Sequence, residues 1–130
     1  MDDQEMTRFE EIEVRRIRVV DEEGAVRMIL TAPPLPRATF RGEPILEQEP
    51  PQAGLVFYNE EGTECGGLWF MGRSGPDGVT ADAGLTFDQY EQDQCITISY
   101  QQEGSERSYG ISMVDRPPIP LPEFLESYQR

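Results

Sequence analysis

The residues of this sequence that could do chemistry are few, and most of them are carboxylates. The run FDQYEQDQ, Phe87 to Gln94, holds Asp88, Glu91 and Asp93. A pair of carboxyls can divide the acid and base roles of a proton transfer, although a polar loop between strands accounts for the same composition. The chain has no histidine, and all 11 of its basic residues are arginine. That excludes imidazole bases and ligands together with the Ser-His-Asp and Cys-His constellations. Schiff-base and pyridoxal chemistry go with the lysines. Cys65 and Cys95 make no zinc motif and read as buried, reduced thiols. No catalytic acid–base set, metal site or cofactor site is specified, so any chemistry rests on carboxyls, tyrosines, a thiol, or shape and desolvation alone.

Charge narrows the partners. The formal net charge is -14 over 130 residues, which repels nucleic-acid phosphates and anionic lipid surfaces. Neither nucleic acid nor a membrane is expected. The start MDDQEMTRFEE lacks the basic and apolar regions of a secretory leader. No stretch approaches the roughly 20 apolar residues of a membrane span, so the expected compartment is the cytoplasm. The length suits one domain with its own core.

The elements that must position these residues are strands. DEEG (Asp21 to Gly24), NEEG (Asn59 to Gly62) and QQEG (Gln101 to Gly104) each stand between apolar or alternating runs. Each matches a three-residue hairpin loop closed by glycine at positive φ. The expected hairpins pair 10–20 with 25–31, 53–59 with 63–72, and 93–101 with 105–115. A further strand over 79–88 follows the turn GRSGPDGV. A phase slip at Arg15-Arg16 predicts a β-bulge that would help the sheet curl. The expected fold is therefore all-β: an antiparallel β-barrel-like domain of about seven strands over 1–117. Residues 118–130 read as a proline-rich C-terminal arm with about one helical turn. Residues 32–51 read as a long loop carrying six of the 11 prolines, a lid or an interface arm.

The stretch GGLWFMG, Gly66 to Gly72, is apolar on both faces of any strand it forms. Counting outward from a turn that pairs Asn59 with Thr63, one face presents Leu55, Phe57, Cys65, Trp69 and Met71, and the other Val56, Tyr58, Leu68 and Phe70. Glu64 stands opposite Tyr58. Gly66 and Gly67 leave gaps in the two faces. With Gln101 opposite Ser105, the third hairpin puts Cys95, Tyr109, Ile111 and Met113 on one face and Ile96, Ile98 and Tyr100 on the other. A barrel has one interior, so the second apolar set is either an oligomer interface or a lined cavity. A homo-oligomer and a ligand pocket both satisfy this pattern.

Three blocks, GLVFYNEEGTECGGLWFMGR, GLTFDQYEQDQCITISY and GISMVDRPP, together resemble a bacterial β-protein family. Its pattern is Asn-x-x-Gly-x-Glu-x-Gly-Gly-Leu-x-Phe-x-Gly followed by Thr-Phe-Asp-x-Tyr-x-Gln-Asp-Gln, and the resemblance covers roughly residues 9 to 117. Within it the chain resembles the small stand-alone pericyclases of macrolide polyketide pathways, which fold a polyene macrolactone for transannular [6+4] and [4+2] cycloaddition. Trp69 and Met71 stand where the wider pattern has aliphatic or small residues, which fits a site for a large, flat, apolar substrate. The resemblance implies a cofactor-free enzyme that binds a polyene macrolactone. Leu55, Phe57, Trp69 and Met71 would form its apolar wall, Met113 would join them, and Tyr109 or Asp88 would anchor a carbonyl or hydroxyl. A non-catalytic oligomeric β interaction or ligand-binding module is the alternative, and a carboxylate hydrolase or isomerase using Asp88 and Asp93 is a third reading.

Overall fold

The computed structural model describes residues 6–128. Its strands are β1 (Arg16–Val20), β2 (Val26–Thr31), β3 (Thr39–Phe40), β4 (Glu43–Pro44), β5 (Ala53–Tyr58), β6 (Glu64–Gly75), β7 (Gly78–Asp88), β8 (Gln94–Glu103) and β9 (Glu106–Met113), followed by helix α1 (Leu121–Tyr128). Seven strands make one antiparallel sheet in the order β1-β2-β5-β6-β7-β8-β9, and β3 pairs with β4 in a separate small hairpin. The all-β antiparallel class is as the sequence suggests. The sheet does not close into a barrel: β1 and β9 are its edges. Among the described residues no helix is long and apolar enough to cross a membrane.

Three hairpins share one construction. Backbone bonds join Asp21 to Ala25, Asn59 to Thr63 and Gln89 to Asp93, each with an inner bond across the turn. In each, one pair follows and then the second strand carries an extra residue. Val20 opposes Val26 and Val19 opposes Met28; Tyr58 opposes Glu64 and Phe57 opposes Gly66; Asp88 opposes Gln94 and Phe87 opposes Ile96. The bulged residues are thus Arg27, Cys65 and Cys95. Gly24 and Gly62 supply a left-handed residue at the fourth position of the first two turns, whereas in the third the positive φ falls one position earlier, on Glu91 at 55°. The bulge expected near Arg15-Arg16 is absent from that place, because β1 begins only at Arg16 and its irregularity lies between Val19 and Val20.

These bulges correct the expected registers. The three-residue turn at NEEG is present, but the extra residue at Cys65 advances β6 by one. Leu55 therefore opposes Leu68 rather than Gly67, and Ala53 opposes Phe70 rather than Trp69. QQEG is not a turn of this kind. Glu103 pairs with Glu106 across Gly104-Ser105, and Gln101 opposes Ser108. A shift of one residue moves a whole side-chain set to the opposite face, so the two half-apolar faces resolve into one polar-lined face and one apolar face.

On the apolar face, Ile17, Leu30, Leu55, Leu68, Leu85, Ile98 and Ile111 line up as a row crossing all seven strands. A flanking row runs from Val19 and Met28 through Phe57, Phe87 and Ile96 to Met113. The other holds Ala53, Phe70, Ala83, Tyr100 and Tyr109. Phe57 and Phe87 stack across Gly66 with centroids 6.4 Å apart. A Cβ on Gly66 would meet the Phe57 ring at 3.2 Å and the Thr86 carbonyl oxygen at 2.4 Å, and its φ is +147°. The opposite face carries the buried core, Ile29, Val56 and Tyr58, with Val26 and Leu35 against it. The 32–52 connection and α1 cover this second face.

Candidate functional site

The covered face owes its roof to a few anchored segments. Thr39 Oγ1 donates to the Gly62 carbonyl at 2.8 Å, and the Arg41 amide donates to Thr63 Oγ1 at 2.8 Å. The Gly42 amide donates to the Gly62 carbonyl at 3.1 Å. Arg41 also forms an ion pair with Glu91 at 2.7 Å. Both residues hold positive φ, so the pair joins two tight bends, one in the roof and one in the sheet. On the C-terminal side, Gln89 and the backbone of Arg116 exchange two hydrogen bonds of 2.8 Å. Gln92 Nε2 donates to the Ile119 carbonyl at 3.1 Å, and the Leu121 amide donates to the Glu91 carbonyl at 2.6 Å. The FDQYEQDQ run is thus the fastening point of both roof segments. Of the arm expected at 118–130, the part through 128 packs on the sheet and forms α1 over two turns, with Pro122 in its first turn where a missing N–H does no harm; residues 129–130 lie outside the described residues.

Between roof and sheet lies a cavity of about 310 Å³. Leu35, Phe40, Ile45, Val56, Leu121 and Leu125 make its apolar wall, and Glu64, Thr86, Asp88, Gln92 and Asp93 its polar one. The bulge on β6 brings Glu64 to this side opposite Tyr58; Asp88 is here because it shares the parity of Thr86 along β7, and the bulge on β8 sets Gln94 opposite it. Burial raises the Glu64 carboxyl to about 7, with the charges of Asp88 and Asp93 adding to the effect. Asp88 is raised to about 7 by burial and then by Asp93, against the pull of Arg116. Asp88 Oδ1 and Thr86 Oγ1 are buried without a hydrogen-bond partner. Near neutral pH the cavity therefore offers carboxylic acids, which donate hydrogen bonds, as well as carboxylates, which only accept them.

A neighbouring cavity of about 270 Å³ shares Leu35, Pro50, Val56, Glu64, Thr86 and Gln94 with the first and adds Trp69, Gln52, Asp82 and Gln101. Trp69 lies flat on Gly84, where a Cβ would sit 2.3 Å from the indole ring. Gln52 Nε2 donates to Asp82 Oδ2 at 3.0 Å, while Gln52 Oε1 and Asp82 Oδ1 are buried without partners.

The residues expected to share one substrate wall are divided between the two faces. Asp88 lines the first cavity and Trp69 the second. Met71 is on the covered side, opposite Asp82, and lines neither. Leu55 borders the second cavity, although its register places its side chain in the apolar row behind it. Phe57, Tyr109 and Met113 belong to the bare apolar face and line neither cavity. The misplacement has two causes, the uncounted bulge at Cys65 and a β8–β9 turn that closes at Gly104-Ser105. Glu64, Gln52, Thr86 and Asp82 were not readable as site residues, because only the roof makes their burial unusual. Glu64 does stand opposite Tyr58, as the turn count indicates. Cys65 and Cys95 are free thiols, half-buried at the bulges. Among the described residues no group of three or more His, Cys, Asp or Glu is disposed to hold a metal ion. Compared with family models, curated proteins and solved structures, the chain matches none.

Proposed function

We propose that the protein is a cofactor-independent cyclase that folds a polyene macrolactone for transannular [6+4] and [4+2] cycloaddition. Besides the resemblance of the three sequence blocks, one observation carries this reading. Two adjoining cavities join an apolar wall and an indole to carboxyls that keep a substantial protonated fraction near pH 7. Cycloaddition moves π electrons within the substrate and transfers no proton to the protein, so the missing bases cost nothing. Holding a flexible ring in a near-attack geometry lowers the barrier by several kcal/mol. A neutral Glu64 or Asp88 hydrogen-bonded to a carbonyl conjugated with the polyene would stabilise the charge that grows there in the transition state. Volumes of this order suit a ligand of drug-like size.

The test is conversion of a polyene macrolactone by the purified protein, followed by loss of polyene absorbance and by product mass and retention. Turnover above the spontaneous rate is expected, falling as pH rises through about 7 as the donors ionise. Glu64→Gln, which keeps a donor, should flatten that profile, and Trp69→Ala should lower turnover without changing the oligomeric state. Unaccelerated cyclisation, together with Trp69 emission that ignores added macrolactone, would end the reading. The bare apolar face favours the second reading, a non-catalytic oligomeric module; there, Trp69→Ala has no activity to lose.

A further inference from the structure

The apolar face of the sheet is the largest feature that the proposed cyclase chemistry does not use. Its three rows contain no Asp, Glu or Arg, in a chain of net charge -14. Its side chains are open to solvent: Leu68 is 40% exposed, Ile98 49% and Ile111 76%. Two rows of seven positions and one of five, each position about 4.8 by 7 Å, make a face on the order of 600 Å². That stands at the top of the range for the largest apolar patch of an ordinary monomer, about 300–600 Å². It approaches the roughly 800 Å² that each partner contributes to a stable interface.

We infer that this face is covered by the same face of a second copy, giving a two-layer sandwich with the roofed cavities on its two outer sides. Area is the first argument and charge the second. An acidic subunit approaches its own copy with least repulsion through an uncharged face such as this one, whereas an anionic membrane is disfavoured by the rest of the molecule. Geometry is the third. β6 is the middle strand of the seven, and Leu68 is in the middle row. A two-fold axis lying between the layers, either along the strands or across them, therefore sets Leu68 near the partner subunit's Leu68. Sheets packed this way lie about 10 Å apart with interdigitating side chains. Gln102 and Arg107, cross-strand partners at the end of the apolar rows, make part of a polar rim.

Sedimentation velocity over a concentration series tests the inference. The wild-type chain should sediment at twice its 14.8 kDa mass. Leu68→Lys, which sets two charges against each other at the centre, should raise the dissociation constant by about 100-fold or more. Ile111→Lys, on an edge strand and already mostly exposed, should weaken the dimer with little demand on the fold. Trp69 is on the other face, so unchanged emission certifies that each variant is folded. A wild-type chain that stays monomeric at all concentrations overturns the inference. So does a folded Ile111→Lys or Leu68→Lys variant that dimerises as tightly as wild type, and so does a monomer that binds anionic vesicles through this face. The readout is mass rather than turnover, so it stands or falls apart from the cyclase reading.

Discussion

Glu64 and Asp88 show what position does to an ordinary carboxyl. Glu64 titrates near 4.5 in an unfolded chain and at about 7 when folded. Between those values the folded state keeps a proton that the unfolded state has released, so stability falls as pH rises. The contribution is fully present below about pH 4.5 and lost above about 7. For Glu64 it is on the order of 3 kcal/mol, or roughly 10 °C in melting temperature for a domain of this size. The melting temperature should therefore drop between pH 5 and pH 8, and Glu64→Gln should remove much of that drop while raising stability at pH 8. Parallel melting curves that shift equally with pH would show that Glu64 ionises freely in the folded protein. From sequence, the FDQYEQDQ run and the resemblance single out Asp88, whereas nothing marks Glu64 as a site residue among the 25 acidic ones. Only the roof makes these two costly to ionise.

At the scale of elements, the repeated hairpin is the device that assembles both faces. Its first two turns were legible because glycine marks a left-handed residue. The third was not, since Glu91 takes that conformation without the residue type that announces it. The bulges at Arg27, Cys65 and Cys95 have no residue signature either. Their consequence is nonetheless large. Deleting Cys65 would oppose Phe57 to the wrong parity of β6 and exchange its faces, so the cooperative thermal transition should be lost, a penalty above about 3 kcal/mol. Cys65→Ser keeps the extra residue and should cost no more than about 1 kcal/mol. A deletion variant that melts like wild type would show that the register does not depend on the bulge.

For the whole molecule, charge and the bare face act against each other. Two subunits of net charge -14 repel at long range, and salt screens that repulsion over about 10 Å at 0.1 M. In the sandwich proposed above, the dimer dissociation constant should fall as sodium chloride is raised from 10 to 200 mM, on the order of ten-fold. Sedimentation at the two concentrations measures it, and tighter association at low salt would mean that an ion-paired contact holds the copies together instead. The open sheet sharpens the point. A closed barrel would hide one face by itself, whereas an open sheet leaves one to be hidden by something else.

The sequence by itself determined the class of fold, the absence of imidazole and amine chemistry, and the surplus of apolar surface on the central strands. Composition and two-residue alternation suffice for these, because they depend on residue type and local spacing. Which side each residue faces was decided only by the tertiary structure. Parity along a strand is inherited from every bulge before it, and a single uncounted residue reverses the assignment. The candidate site likewise needed the fold: Glu64, Asp88 and Trp69 acquire a common setting only when the 32–52 connection and α1 close over one face of the sheet.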